Sequence, residues 1–262
     1  MILQARFDAW EELGRNYLGG RESWSLTETQ KKGARFHQSY TRLTTDHFSP
    51  WKKYPWNLDL ESAEYNHALQ IDPSYAVEYY NRGNIYRGKG NYDQAISDYN
   101  QAIKLDPEYT DAYINRGIAY KNKGDYDQAI SDYNQALQID PDDASAYTNM
   151  GNVYCDRKGD YDRAISYFNK AIEIDPNIAT PYYNRGNAYN HKGDYDQAIS
   201  DYNQALQIDP KYADAYCNRA EIHYHQHEYE KAWEDVHNAE LLGHAIDTKF
   251  LEDLKKASGQ HD

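Results

Sequence analysis

Proline recurs at Pro73, Pro107, Pro141, Pro176 and Pro210, at spacings of 34, 34, 35 and 34 residues, each time behind an aliphatic-x-aliphatic-Asp phrase such as Leu69-Gln70-Ile71-Asp72. A period of that length is too short for a domain. It marks one supersecondary unit repeated in tandem, each copy burying its apolar face on the next. The stretches 123–141 and 192–210 are identical in sequence. Inside one period the apolar positions step by three and four, as two amphipathic helices require. In the second copy these are Tyr113, Gly117 and Tyr120, then Tyr126, Ala129, Ile130, Tyr133, Ala136 and Leu137. Gly124 is placed to end the first helix in a left-handed conformation. Asp125 with Gln128 three residues on reads as a capping box. Pro141 stops the second helix, because its ring cannot continue the hydrogen-bond ladder.

Composition sharpens this picture. The 262 residues carry 28 Lys and Arg against 42 Asp and Glu, a net charge of −14. Such a surface repels phosphate backbones, so no nucleic-acid partner is expected. Nor is membrane insertion expected, since the 40% hydrophobic content is spread without a long apolar run. A mean hydropathy of −1.04 would by itself suggest disorder. The 28 tyrosines, against 5 Phe and 5 Trp, answer that: a phenol fills space with its ring and keeps a polar tip. Cys155 and Cys217 lie far apart without ligand-type neighbours, and the N-terminus carries Asp8 and no apolar stretch of signal length. A cytoplasmic setting is expected.

The pattern Tyr113-Ile-Asn-Arg-Gly117-Ile-Ala-Tyr120, Gly124-Asp-Tyr126, Ala129, Tyr133, Ala136, Pro141 resembles the tetratricopeptide repeat. The resemblance implies an all-α, right-handed superhelical solenoid of helix-turn-helix units. Five copies span 76–109, 110–143, 144–178, 179–212 and 213–243, preceded at 58–75 by an incomplete copy with a second helix only. The third copy carries one extra residue in 155–159, expected to lengthen its inter-helix turn. The last copy departs from the pattern at Ala220, His223, His227 and Val236. Beyond it, Ile246, Phe250, Leu251 and Leu254 form the apolar stripe of a capping helix within 244–262.

Four copies have arginine just before the small residue of the first helix, Arg82, Arg116, Arg185 and Arg219, and the same copies have Asp98, Asp132, Asp201 and Asp235 on the second. The third copy switches both together, to Met150 and Tyr167. Pairing each Asp with the next copy's Arg would leave Asp132 facing Met150. The co-switch therefore predicts partly buried ion pairs within a repeat.

The resemblance also implies which residues face a ligand: the second, fifth, ninth and twelfth of each copy, on the concave face. The fifth are Tyr80, Ile114, Thr148, Tyr183 and Cys217, and the ninth Asn84, Ile118, Asn152, Asn187 and Glu221. The twelfth are Arg87, Lys121, Cys155, Asn190 and Tyr224. They vary while packing slots stay constant, as a scaffold for a protein or peptide ligand, an extended segment or a helix, would require. Members of the family that grip acidic chaperone tails use Lys at the fifth slot and Arg at a ninth. Neither occurs here, so capture of such tails is not expected. The sixth-slot asparagines, Asn81, Asn115, Asn149, Asn184 and Asn218, recur in every copy and are expected to bond between neighbouring helices.

No nucleophile elbow, phosphate loop or glycine-rich turn after a strand occurs, and the carboxylates recur at turns and caps, so no enzyme and no cofactor are expected. His223, His225 and His227 share helical spacing, but no Glu or Cys at a metal-site spacing completes them, and packing or solvation is expected rather than a metal. Residues 1–57 lack the period. Helices are expected over 5–18 and about 27–43, and segments around Trp10, Trp24, Trp51 and Trp56 resemble the C-terminal part of an uncharacterised bacterial domain. That region is expected to cap the incomplete repeat. Two alternatives stand beside the scaffold: a sensing module in which the N-terminal region acts and the repeats recruit, and a duplicated product that folds without a dedicated ligand.

Overall fold

The computed structural model describes residues 65–66, 69–70 and 73–259. The chain divides into two units, Met1–Trp56 and Asn57–Asp262, and every described residue lies in the second. The expected N-terminal helices, and the covering of the incomplete repeat by Trp51 and Trp56, fall outside the described residues. Residues 65–66 and 69–70 of the incomplete repeat are helical.

Eleven helices follow among the described residues: α1 (Ala76–Gly88), α2 (Tyr92–Leu105), α3 (Thr110–Lys123), α4 (Tyr126–Ile139), α5 (Ala144–Lys158), α6 (Tyr161–Ile174), α7 (Ala179–Lys192), α8 (Tyr195–Ile208), α9 (Ala213–His225), α10 (Tyr229–Leu241) and α11 (Thr248–Ser258). Odd and even helices from α1 to α10 pair as antiparallel hairpins, and each hairpin packs on the next, the stacked all-α solenoid that the period requires. First helices of successive repeats (α1, α3, α5, α7, α9) also touch one another, as second helices do not to the same degree. The first helices therefore lie on the inside of the curve.

The turns follow from local chemistry. Gly124, at φ +84°, lets its own N–H reach Lys121 O and the next N–H reach Tyr120 O, each at 2.9 Å, which satisfies two end carbonyls of α3. His227 adopts the same conformation, φ +61°, in the last repeat. At the other turn, the aspartates before Pro107, Pro141, Pro176 and Pro210 accept the N–H two residues on, Asp140 from Asp142 at 3.1 Å and Asp175 from Asn177 at 2.9 Å. The proline between them has no N–H to offer, so the Asx turn and the helix stop come from one dipeptide.

Two local expectations change. Asp125 occupies the N-cap of α4 but its side chain makes no cap hydrogen bond, whereas Asp143 accepts from Ala146 N at 2.8 Å and Asp160 from Arg163 N at 3.3 Å. The cap ψ is 99° at Asp143, 70° at Asp160 and 63° at Asp125. The extra residue of the third repeat does not lengthen its turn. It is absorbed as one more residue of α5, which has 15 against 14 in α3. Continuing a helix keeps the backbone hydrogen-bonded, while a longer loop would expose it.

Packing depends on one close approach per repeat. A Cβ on Gly117 would lie 2.5 Å from Tyr133, and on Gly186 2.7 Å from Tyr202, so glycine is what lets each buried ring lie against the first helix. In the last repeat Ala220 faces a smaller residue, Val236, and both are fully or nearly fully buried. Ala112 and Ala119 are also buried on α3, Ala119 in the core of the first repeat with Ala95, Ile96 and Tyr99, and neither is one of the periodic positions of the sequence. Beyond α10, Leu254, Ile246, Phe250 and Leu251 close over Ala220, Ala232 and Val236.

Candidate functional site

The ninth- and sixth-slot asparagines form a hydrogen-bonded ladder along the inner helices. In the first repeat Tyr99 Oη donates to Asn84 Oδ1 at 2.7 Å, and Asn115 of the next repeat donates to the same oxygen at 3.0 Å and to Tyr80 Oη at 2.8 Å. The fourth repeat repeats this: Tyr202 to Asn187 at 2.7 Å, and Asn218 to Asn187 at 2.8 Å and to Tyr183 at 3.1 Å. Asn184 donates to Asn152 at 2.9 Å. Tyr80 and Tyr183 also lie against Tyr109 and Tyr212, at ring separations of 4.9 and 4.7 Å. Five residues assigned to the binding surface, Tyr80, Asn84, Asn152, Tyr183 and Asn187, are thus engaged in holding repeats together. Ile114 and Thr148 are only 6% and 8% exposed and pack rather than present themselves; the Thr148 hydroxyl donates to Ala144 O at 2.7 Å.

The ladder is broken once. The second repeat has Ile118 where Asn84 and Asn187 stand, and Tyr133 Oη is buried without a hydrogen-bond partner. Asn149, whose preceding repeat has Ile114 and Ile118 in the slots that hold a phenol and an amide elsewhere, donates to Ser145 O of its own helix at 3.0 Å. Arg87 Nε is the other buried side-chain polar atom left without a partner among the described residues. Its charge acts on the phenols of Tyr99, Tyr133 and Tyr80. Lys121, next along, pairs with Asp156 at 2.9 Å.

Each arginine before the small residue binds its own repeat's aspartate through two nitrogens. Arg82 Nε and Nη2 reach Asp98 at 2.7 and 2.6 Å, Arg116 reaches Asp132 at 2.8 and 2.6 Å, and Arg185 reaches Asp201 at 2.8 and 2.6 Å. Arg219 holds Asp235 in the same way, at 2.8 and 2.5 Å. The third guanidinium nitrogen crosses to the preceding repeat, Arg116 to Asn100 at 2.5 Å and Arg185 to Asn169 at 2.6 Å, with Arg82 on Asn66 and Arg219 on Asn203. Tyr79, Tyr113, Tyr182 and Tyr216 lie beneath the cations. Hydrogen bonding to Asp98 holds Arg82 above its ordinary pKa. The arginine is therefore a three-way tie, and the link to the previous repeat left no trace in the co-switch. In the third repeat Tyr167 stacks between Tyr147 and Tyr154, at 6.5 and 5.3 Å, and aromatic packing replaces the ion pair.

At the far end a cavity of about 260 Å³ lies between α9 and the segment leading to α11, lined by Tyr183, Cys217, Glu221, His244 and Phe250 among others. Tyr224 packs edge-on against Phe250 at 5.6 Å. Burial pushes both thiols up to about 11, helped by Asp156 at Cys155 and by Asp214 at Cys217, so they are protonated near neutrality. His223 is buried and bonds Glu228 at 2.7 Å, and His227 bonds Tyr229 at 2.8 Å. Among the described residues no three His, Cys, Asp or Glu side chains gather as metal ligands, and no helix is long and apolar enough to cross a membrane.

Models described as TPR repeat match residues 83–124, 119–156 and 186–226, and models described as tetratricopeptide repeat match 144–178, 64–97 and 167–200. No curated protein matches the chain. Among solved structures, MamA is 25% identical with a TM-score of 0.52, covering 68% of this chain and 96% of its own. A tetratricopeptide repeat protein from Parabacteroides merdae is 25% identical with a TM-score of 0.60, covering 78% of each chain. YrrB, described as a TPR protein with an unusual peptide-binding site, is 22% identical with a TM-score of 0.51, covering 74% of this chain and 97% of its own. With the period, the hairpin stack and matches running from residue 64 to 226, the chain belongs to the tetratricopeptide repeat family.

Proposed function

We propose that this protein is an interaction scaffold that holds an extended segment or a helix of a partner protein along the inner helices. One observation carries the reading. The arginine ties and the glycine–ring contacts each recur in four of the five copies and the Asn–Tyr ladder in the first and fourth, while the inner positions Arg87, Ile118, Lys121, Asn190, Cys217, Glu221 and Tyr224 vary among copies. A frame held constant under a variable surface is what selective binding needs. The ladder amides are consumed internally, so recognition falls to those seven side chains. No chemistry is assigned to the site: its thiols are protonated near neutrality.

The test is affinity capture with Asn190→Arg and Glu221→Arg on the inner helices, against Gln135→Arg and Gln204→Arg, exposed on second helices. The reading expects partners lost at least about tenfold by the inner pair and kept by the outer pair. Retention by all four variants, or equal loss, contradicts it.

A further inference from the structure

Two buried donors without acceptors sit on the inner side of the first three repeats: Tyr133 Oη and Arg87 Nε. In the first and fourth repeats an amide oxygen, Asn84 Oδ1 or Asn187 Oδ1, gathers a phenol from its own repeat and an amide from the next. In the second repeat Ile118 removes that oxygen and leaves its donors behind. Asn149 turns to its own helix, and Tyr133, fully buried, has nothing. A buried hydroxyl without an acceptor costs about 1–3 kcal/mol, so the arrangement favours anything that brings an oxygen.

The missing group is an acceptor, and one of the waiting donors belongs to a cation, Arg87, a residue that is as a whole only partly buried. The nearby carboxylates are engaged: Asp132 is held by Arg116 and Asp156 by Lys121. The charge of Asp111 acts on Tyr80 and Tyr109 of the first repeat. Beside the vacancy the inner surface is apolar at Ile118, continuous with the core around Ile114 and Val153.

We propose that the inner face between the second and third repeats takes one carboxylate of the partner, an Asp or Glu side chain flanked by apolar residues. Its oxygen accepts from Arg87, Tyr133 and Asn149 where an asparagine oxygen stands in other repeats. This rests on the groove reading above and names the chemistry of its occupant. It differs from the grip on an acidic tail, which needs a lysine at a fifth slot: a single cation here meets a single side chain.

The probe is the tripeptide acetyl-Leu-Glu-Leu-amide, titrated into the full chain with the Arg side-chain nitrogens labelled, beside its Gln counterpart. A saturable shift of the Arg87 Nε resonance is expected, with the Glu peptide binding at least about fivefold more tightly than the Gln peptide. Arg87→Gln is expected to abolish that preference, and so is Ile118→Asn, which supplies the oxygen from within. Melting temperatures identify any variant that fails to fold, and either variant alone suffices. Equal affinity for the two peptides, no saturable shift with either, or a preference unchanged in both variants overturns the proposal. The capture experiment at Asn190 and Glu221 does not involve Arg87, so groove binding can stand where the carboxylate fails.

Discussion

Removing the same hydroxyl from three tyrosines in equivalent places should give opposite results. Tyr99, Tyr133 and Tyr202 are all fully buried, and the third repeat already carries Phe168 in the equivalent place, so phenylalanine fits the site. In Tyr99→Phe and Tyr202→Phe a 2.7 Å hydrogen bond to an asparagine oxygen is lost. That oxygen keeps its bond from the next repeat, at 3.0 and 2.8 Å, and is not stranded. The cost is therefore that of one net hydrogen bond, about 1 kcal/mol. In Tyr133→Phe no bond is lost and a desolvated hydroxyl is removed, which should stabilise by about 1 kcal/mol or more. For an array of this size each kcal/mol moves the melting midpoint by roughly 2–4 °C. Repeat arrays do not always unfold in one step, so urea midpoints by circular dichroism should be read with amide hydrogen exchange of α4 and α8, which reports each interface locally. If Tyr133→Phe destabilises as much as Tyr202→Phe, the broken ladder is wrong. A second arm closes the argument: in an Ile118→Asn background Tyr133→Phe should become destabilising, a coupling of about 1–2 kcal/mol in a double-mutant cycle.

Further outcomes follow from the same geometry. Arg185→Met strands the buried Asp201 carboxylate and should cost about 3 kcal/mol, while Arg185→Met with Asp201→Tyr, the pair natural to the third repeat, should recover most of it in urea titrations. Gly186→Ala drives a Cβ to 2.7 Å from Tyr202 and should cost about 1–3 kcal/mol. Burial lifts both thiols to about 11, so Cys155 and Cys217 should react slowly with iodoacetamide at neutral pH. Their rates should rise about tenfold per pH unit through the range below that value, and rapid labelling at neutral pH would contradict the burial.

Repetition made the frame legible in the sequence. Slots that recur at fixed phase reveal packing, and the third repeat, by changing Arg and Asp together, shows which residues meet. Features that depend on reach between copies were harder to see. The arginine's link to the preceding repeat, Arg185 to Asn169, joins residues that never switch with it. The ladder joins Asn187 to Tyr202, fifteen positions on, and to Asn218, thirty-one on. Knowing those two offsets, one reads Ile118 and Tyr133 as a broken pair directly from the sequence. Without them Ile118 is one more variable groove residue. The exchange of Gly and Tyr for Ala220 and Val236 is visible as two separate departures, and only the ring packed over Gly117 and Gly186, which leaves no room for a Cβ, makes it one. Buried Ala112 is hard to read because its slot holds no constant residue type: its equivalents are Glu78, Ala146, Pro181 and Ala215. The side chain of Asp125 escaped because a cap depends on a backbone angle that the residue type does not fix.

The most direct test of the scaffold is to place a photo-crosslinking benzoylphenylalanine at Asn190 or Glu221 and, separately, at Gln135 or Gln204, and to irradiate in the presence of captured partner. An inner surface that holds the partner predicts crosslinks from the first pair and none from the second. Crosslinks from the outer positions alone would place binding on the second helices and contradict the account.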